Sequence, residues 1–150
     1  MSGEIRRATF TDVEVVAQLF DEYRQFSKQP SDLTLATKFI SARLVNKDSI
    51  IFMAEDINGY GLGFCQLYPT FNSVSATATL VVADLYVTQH ARCVGIGRRL
   101  MSSAIDYAKA KAISGITLEI REGHSHALAL FQSLSFVHKE GFLSYSLDIE

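Results

Sequence analysis

Asp84-Leu85-Tyr86-Val87-Thr88-Gln89-His90-Ala91-Arg92-Cys93-Val94-Gly95-Ile96-Gly97-Arg98-Arg99-Leu100 decides how this chain is read. A strand runs into a loop with glycines two apart, and a helix begins at once. Glycine tolerates positive φ and lets main chain come close to a ligand. A helix start presents unpaired N–H groups at its positive dipole end, which suits an anion. Arg92, Arg98 and Arg99 add positive charge at the same place. A phosphate-bearing ligand is the expectation.

Two familiar phosphate loops fit poorly. A P-loop requires Lys-Ser/Thr after its last glycine, and Arg98-Arg99 follow Gly97. The dinucleotide fingerprint requires a third glycine where Leu100 stands. Glu119 lies about 20 residues on, as a ribose-binding acid would, but it falls inside the strand expected over residues 116–120 rather than at its end. A nicotinamide-binding protein therefore ranks below other readings.

Outward from this stretch, the elements follow from periodicity and turn chemistry. Residues 4–8 form a short strand. Thr11-Asp12-Val13-Glu14 has capping-box spacing, and Val13, Val16, Ala17, Phe20, Tyr23 and Phe26 continue at helical intervals. Pro30 stops this helix; Ser31-Asp32 cap a second, with Leu33, Leu35, Phe39, Ile40 and Leu44 apolar. Residues 49–54 and 61–68 are strands about a turn at Ile57-Asn58-Gly59. Residues 76–88 form a long strand, and residues 98–112 a helix ended by Ser114-Gly115. Residues 116–120 form a strand, Ser125 caps a short helix with Ala127, Leu130, Phe131 and Leu134 inward, and residues 136–138 and 142–149 are final strands. The order β-α-α-β-β-β-α-β-α-β-β implies an α/β sandwich whose mixed sheet is mostly antiparallel, with one strand–helix–strand crossover in its second half.

Length and composition bound the rest. The chain has 150 residues, which suits a single domain spanning 1–150. It is 48% hydrophobic and 20% charged, so disorder and fibrous classes are excluded. Fourteen Lys+Arg against sixteen Asp+Glu give −2, which makes no global case for nucleic acid. Cys65 and Cys93 make no disulfide framework. No apolar run approaches the roughly 18–20 residues of a membrane span, and Met1 to Arg7 has no apolar region of a secretory signal. The cytoplasm is the expected compartment.

The central stretch resembles the Gcn5-related N-acetyltransferases (GNAT), whose signature Gln/Arg-x-x-Gly-x-Gly/Ala is matched by Arg92-x-x-Gly95-x-Gly97 after the strand Leu85-Tyr86-Val87. Residues 116–136 resemble the second conserved region of that family, and the element order fits throughout. The resemblance implies that acetyl-coenzyme A is the acetyl donor and an amine of a small molecule or peptide the acceptor. It places the pyrophosphate on the main chain of Val94, Gly95, Ile96, Gly97 and Arg98, with Arg92 closing one side, and adds Cys93, Arg99, His124 and Phe131 to the coenzyme-binding residues. The pantetheine arm would pair with Leu85, Tyr86, Val87 and Thr88, and the Val87 N–H would polarise the thioester carbonyl. The amine attacks directly, so no protein nucleophile is needed. Family members often form homodimers, and residues 142–149 are candidates to contribute.

Aligning the second region puts His124 where Asn is common, Ser135 where Gly is common, and Phe131 where a tyrosine often serves as general acid. Cys93 replaces a frequent glycine. A phenyl ring donates no proton, but a thiol with pKa about 8.5 leaves tolerably near neutrality. A primary alkyl amine is mostly protonated at pH 7, so a base should help; Asp84, Glu119 and His124 are the candidates, and Asp84 and Glu119 each read equally well as hydrogen-bonded structural groups. Phe131 keeps alive a non-catalytic acyl-coenzyme A-binding or regulatory domain. Residues 11–32 carry Asp12, Glu14, Asp21, Glu22 and Asp32 against Arg24 and Lys28. Such an acidic lean suits a cationic amine, although a solvated helix face explains it more plainly. His124-Ser125-His126 lacks the further ligands of a metal site.

Overall fold

The computed structural model describes residues 3–149; Met1, Ser2 and Glu150 lie outside them, including the first two residues of the stretch read for a secretory signal. The chain falls into two compact units, divided after Glu119.

The first unit contains one five-stranded sheet in the sequential order β1-β2-β3-β4-β5. Its strands are β1 (Glu4–Arg7), β2 (Ile50–Glu55), β3 (Gly61–Asn72), β4 (Thr77–Val87) and β5 (Ile116–Leu118). The first three pairings are antiparallel; β4 and β5 are parallel, as the crossover helix between them requires. Helices α1 (Val13–Phe26) and α2 (Leu33–Asn46) cover one face, where Val16, Leu19, Phe20 and Ile40 meet Ile51, Met53, Phe64 and Tyr86. Helix α3 (Ile96–Ala110) covers the other: Tyr107 stands edge-on to Phe52 at 6.0 Å, and Met101 Sδ lies 3.9 Å from Cys65 Sγ. A sheet covered on both faces reads as a continuous apolar run, as Ile50-Ile51-Phe52-Met53-Ala54 does.

The N-terminal cap of the first helical region lies two residues before the expected Thr11–Glu14 box. The Asp12 carboxylate takes the Thr9 N–H at 2.7 Å across a single 3-10 turn, while Arg6 holds the same carboxylate at 2.7 Å and also reaches Glu55. Asp32 caps α2 by accepting from the Leu35 N–H at 3.0 Å, as read from the sequence. Helix α3 starts at Ile96, two residues earlier than expected, because Gly95 at φ +87° turns the chain directly into it.

The second unit contains α4 (Ser125–Ser133). Phe131 is buried and packs edge-on against Phe136, with ring centroids 5.5 Å apart. The strands expected over 136–138 and 142–149 do not form. Phe136 is consumed by the end of α4: its N–H returns to the Phe131 carbonyl, and the Ser135 N–H to Gln132, both at 3.0 Å. Ser135, at φ +73°, is the left-handed residue of this Schellman turn, and the two phenyl rings are its apolar contact. Residues 142–149 lack strand pairing, and their apolar side chains are exposed.

Candidate active site

The site is built where β4 and β5 part. Their parallel pairing ends at Val82 opposite Leu118, and β4 bulges at once, since Gln66 faces Asp84 while Leu67 faces Val82. Beyond that point, among the described residues, β4 is paired only with β3. The Thr88 N–H donates to the Leu62 carbonyl at 2.8 Å. Alternation along the strand therefore turns Tyr86 and Thr88 toward β3, and the main-chain groups of Leu85 and Val87 toward the unpaired edge. Gly63 sits opposite Val87; a Cβ there would strike the Tyr86 carbonyl at 2.7 Å.

The loop after β4 curls through two left-handed residues, Cys93 at φ +67° and Gly95 at φ +87°. Such a loop turns successive N–H groups inward, and α3 adds its positive end. Nothing lies within 4 Å of a Cβ built at Gly95, so the concavity is open. Arg92, Cys93, Val94, Gly95, Arg98 and Arg99 are exposed, Gly97 is half-buried, and Ile96 anchors the helix start in the core. The expected phosphate loop, its cationic side chains and the strand end are thus contiguous. Arg92 has a more constrained position than a free phosphate clamp: its Nε donates to the Val87 carbonyl at 2.8 Å, and its guanidinium lies over Phe26 and Tyr86, 5.1 and 5.6 Å from their centroids.

Of the three candidate bases, two belong to the first unit. Asp84 is buried and linked in a chain: Ser49 Oγ donates to Gln66 Oε1 at 2.9 Å, and Gln66 Nε2 donates to Asp84 Oδ2 at 2.5 Å. Burial pushes the Asp84 carboxyl up from its ordinary value, while hydrogen bonds from Gln66 and Tyr23 pull the other way. Glu119 is exposed and lies one residue past β5. The positional objection to it as a ribose acid thus disappears, but a sheet with one parallel pair is not a dinucleotide fold. His124 is the exposed N-cap of α4 in the second unit, where Phe131 also lies.

Sequence reasoning did not single out Glu22 as part of this site. The Tyr86 and Thr88 hydroxyls both donate to its Oε1, at 3.0 and 2.8 Å. Burial, and then Glu22, push the Tyr86 hydroxyl pKa upward, so it stays a donor. Spacing alone could have placed Glu22 on α1 and Tyr86 and Thr88 on one face of β4, but not their meeting. Among the described residues, no three His, Cys, Asp or Glu side chains gather as a metal-ligand group, and no helix is long and apolar enough to cross a membrane.

The strand that parts from its neighbour thus runs through a left-handed loop directly into a helix start. The chain belongs to the acetyltransferase (GNAT) family, whose model matches residues 13–136. It is 41% identical over 145 residues, 97% of each chain, to the uncharacterized N-acetyltransferase YhfO of Bacillus subtilis strain 168, and 27% identical over 131 residues, 87% of this chain and 84% of the other, to a probable acetyltransferase of Haemophilus influenzae. Its fold matches the crystal structure of a probable acetyltransferase with TM-score 0.91 and 30% identity, covering 98% of both chains. A ribosomal-protein-alanine N-acetyltransferase from Brucella melitensis shares the fold at TM-score 0.80 and 19% identity, covering 99% of this chain and 100% of that one. The protein is accordingly an acyltransferase. GNAT enzymes act on amines and generally use acetyl-coenzyme A.

Proposed function

We propose that this protein is a single-domain, cytoplasmic N-acetyltransferase that uses acetyl-coenzyme A and a small-molecule or peptide amine, without nucleic acid or membrane as partner. The observation that carries the reading is the continuity of the unpaired β4 edge with the Cys93–Arg98 loop. The open space at Gly95, the inward N–H groups and the cationic rim fit a pyrophosphate, and the edge amides fit a pantetheine arm. Acetyl-coenzyme A, when bound, supplies an activated acetyl thioester.

This chain's own residues then do the following. Leu85 and Val87 pair through their main chain, and the Val87 N–H polarises the carbonyl that the amine attacks. Arg92 holds the loop to the strand end through the Val87 carbonyl. Arg98 and Arg99 add positive charge at the helix start, the Arg99 guanidinium lying toward Gly3. Asp84, Glu119 and His124 remain the candidate proton acceptors; His124 and Phe131 are also proposed coenzyme contacts, and the Phe131 ring has no ionisable proton to donate.

We also propose a homodimer, supported by the apolar residues 142–149. The test of function is release of free thiol from acetyl-coenzyme A with a polyamine, a lysine peptide and an aminoglycoside as acceptors. Gly95→Glu should abolish coenzyme binding by calorimetry while the protein stays folded; undiminished affinity would sink the loop assignment. Tight binding by the native chain without turnover of any amine favours the non-catalytic reading.

A further inference from the structure

The acidic residues of the first helical region have different duties. Asp12 is ion-paired with Arg6, Asp21 holds Ser31 Oγ at 2.7 Å and the Asp32 N–H at 2.8 Å, Asp32 caps α2, and Glu14 is exposed to solvent. Glu22 differs. It is half-buried, it crosses from α1 to the end of β4, and both of its hydrogen bonds fall on Oε1. Among the described residues, no hydrogen bond is made to Oε2, and no Lys, Arg or His forms an ion pair with the carboxylate. Arg92, the cation on the same end of β4, donates to the Val87 carbonyl, lies over the Phe26 and Tyr86 rings and neighbours the Tyr86 hydroxyl, with no ion pair to Glu22 among the described residues.

Tyr86 and Thr88, which fix Glu22, are the two neighbours of Val87. The carboxylate is therefore clamped against the strand position whose N–H faces the unpaired edge. A half-buried charge that two neutral donors orient but do not neutralise is a recognition group for a cation. We infer that Glu22 is the acceptor-recognition residue, its Oε2 holding the ammonium group of a basic primary alkyl amine beside Val87. The inference rests on the acetyltransferase reading and adds its acceptor class: amines cationic at neutral pH, in preference to aryl amines that are neutral there.

Glu22→Gln tests it, because the replacement keeps a carbonyl oxygen for Tyr86 and Thr88 and removes only the charge. With 1,4-diaminobutane and a lysine tripeptide as acceptors, KM for the amine should rise about tenfold or more, in keeping with loss of a charge-assisted contact. KM for acetyl-coenzyme A and the melting temperature should stay as in the native chain. An unchanged amine KM would show that Glu22 only ties α1 to β4. If the native chain acetylates neither probe, the acetyltransferase reading fails for basic amines, and calorimetric titration of 1,4-diaminobutane onto native and Glu22→Gln protein decides the binding role separately. Binding to the native chain alone supports recognition; equal binding, or none, overturns it.

Discussion

Two buried aspartates show how differently the same side chain acts on stability. Asp12 faces Arg6, whose hydrogen bonds hold its pKa below the ordinary 3.8. Its stabilisation is present above that value and is lost as pH falls through the depressed one. Among the described residues Asp84 has no ion-pair partner, and burial raises its pKa. Between 3.8 and the raised value the folded chain binds a proton that the unfolded chain does not, so stability falls as pH rises through that window. Asp84→Asn keeps an acceptor for Gln66 and removes the charge. Its urea midpoint should therefore decline less than that of the native protein between about pH 4 and 7. Parallel declines would mean that the buried charge does not govern this slope. Neither environment was legible beforehand: the sequence placed Asp84 on a strand and Asp12 near a cap, but partners 18 or 49 positions away in the chain, such as Gln66 for Asp84 or Glu55 for Arg6, have no local signature.

At the level of elements, starts were easier to read than stops. Asp32, and the glycines before α3, carry their capping chemistry in their identity. The helix ends do not. Helix α1 closes through Lys28 at φ +72°, α3 through Ala112 at φ +56° and α4 through Ser135 at φ +73°, each returning the next residue's N–H to a carbonyl five residues back. Glycine favours this position, and its absence displaced the expected end of α3 to Ser114-Gly115 and let residues 136–138 pass for a strand. Cys93 and Ser135, which the family resemblance aligns with glycines, both have left-handed backbone. A left-handed L-residue costs roughly 1–2 kcal/mol, partly offset because glycine has more freedom when unfolded. Ala112→Gly should therefore raise stability by about 0.5–1 kcal/mol, about 1–4 °C in melting temperature by calorimetry. A lower melting temperature would contradict the account.

For the whole molecule, the order of elements and the family were legible because one segment joined strand, loop and helix in unbroken sequence. The constellation around Glu22 was not, because it depends on α1 meeting β4, 64 to 66 residues away. The largest departure lies at the C-terminus. Phe142, Leu143, Tyr145 and Leu147 are 73%, 81%, 87% and 81% exposed, with Leu143, Tyr145 and Leu147 at strand spacing. In the proposed homodimer these apolar side chains would pack against a second copy, and reciprocal use by two copies would close the assembly. The full chain should sediment as a dimer at micromolar concentration, and Tyr145→Asp with Leu147→Asp should convert it to a folded monomer. A native monomer would overturn the proposed dimer.

The unpaired edge of β4 carries one more consequence, for how this enzyme tolerates mutation. A ligand edge made of main-chain amides belongs to no particular side chain, so substitutions at Leu85 or Val87 that preserve the strand leave the donors in place. Only proline removes a backbone N–H outright. In the proposed reading the Leu85 and Val87 side chains are thus free to change, while the main-chain groups that would grip the donor stay beyond the reach of almost every single substitution.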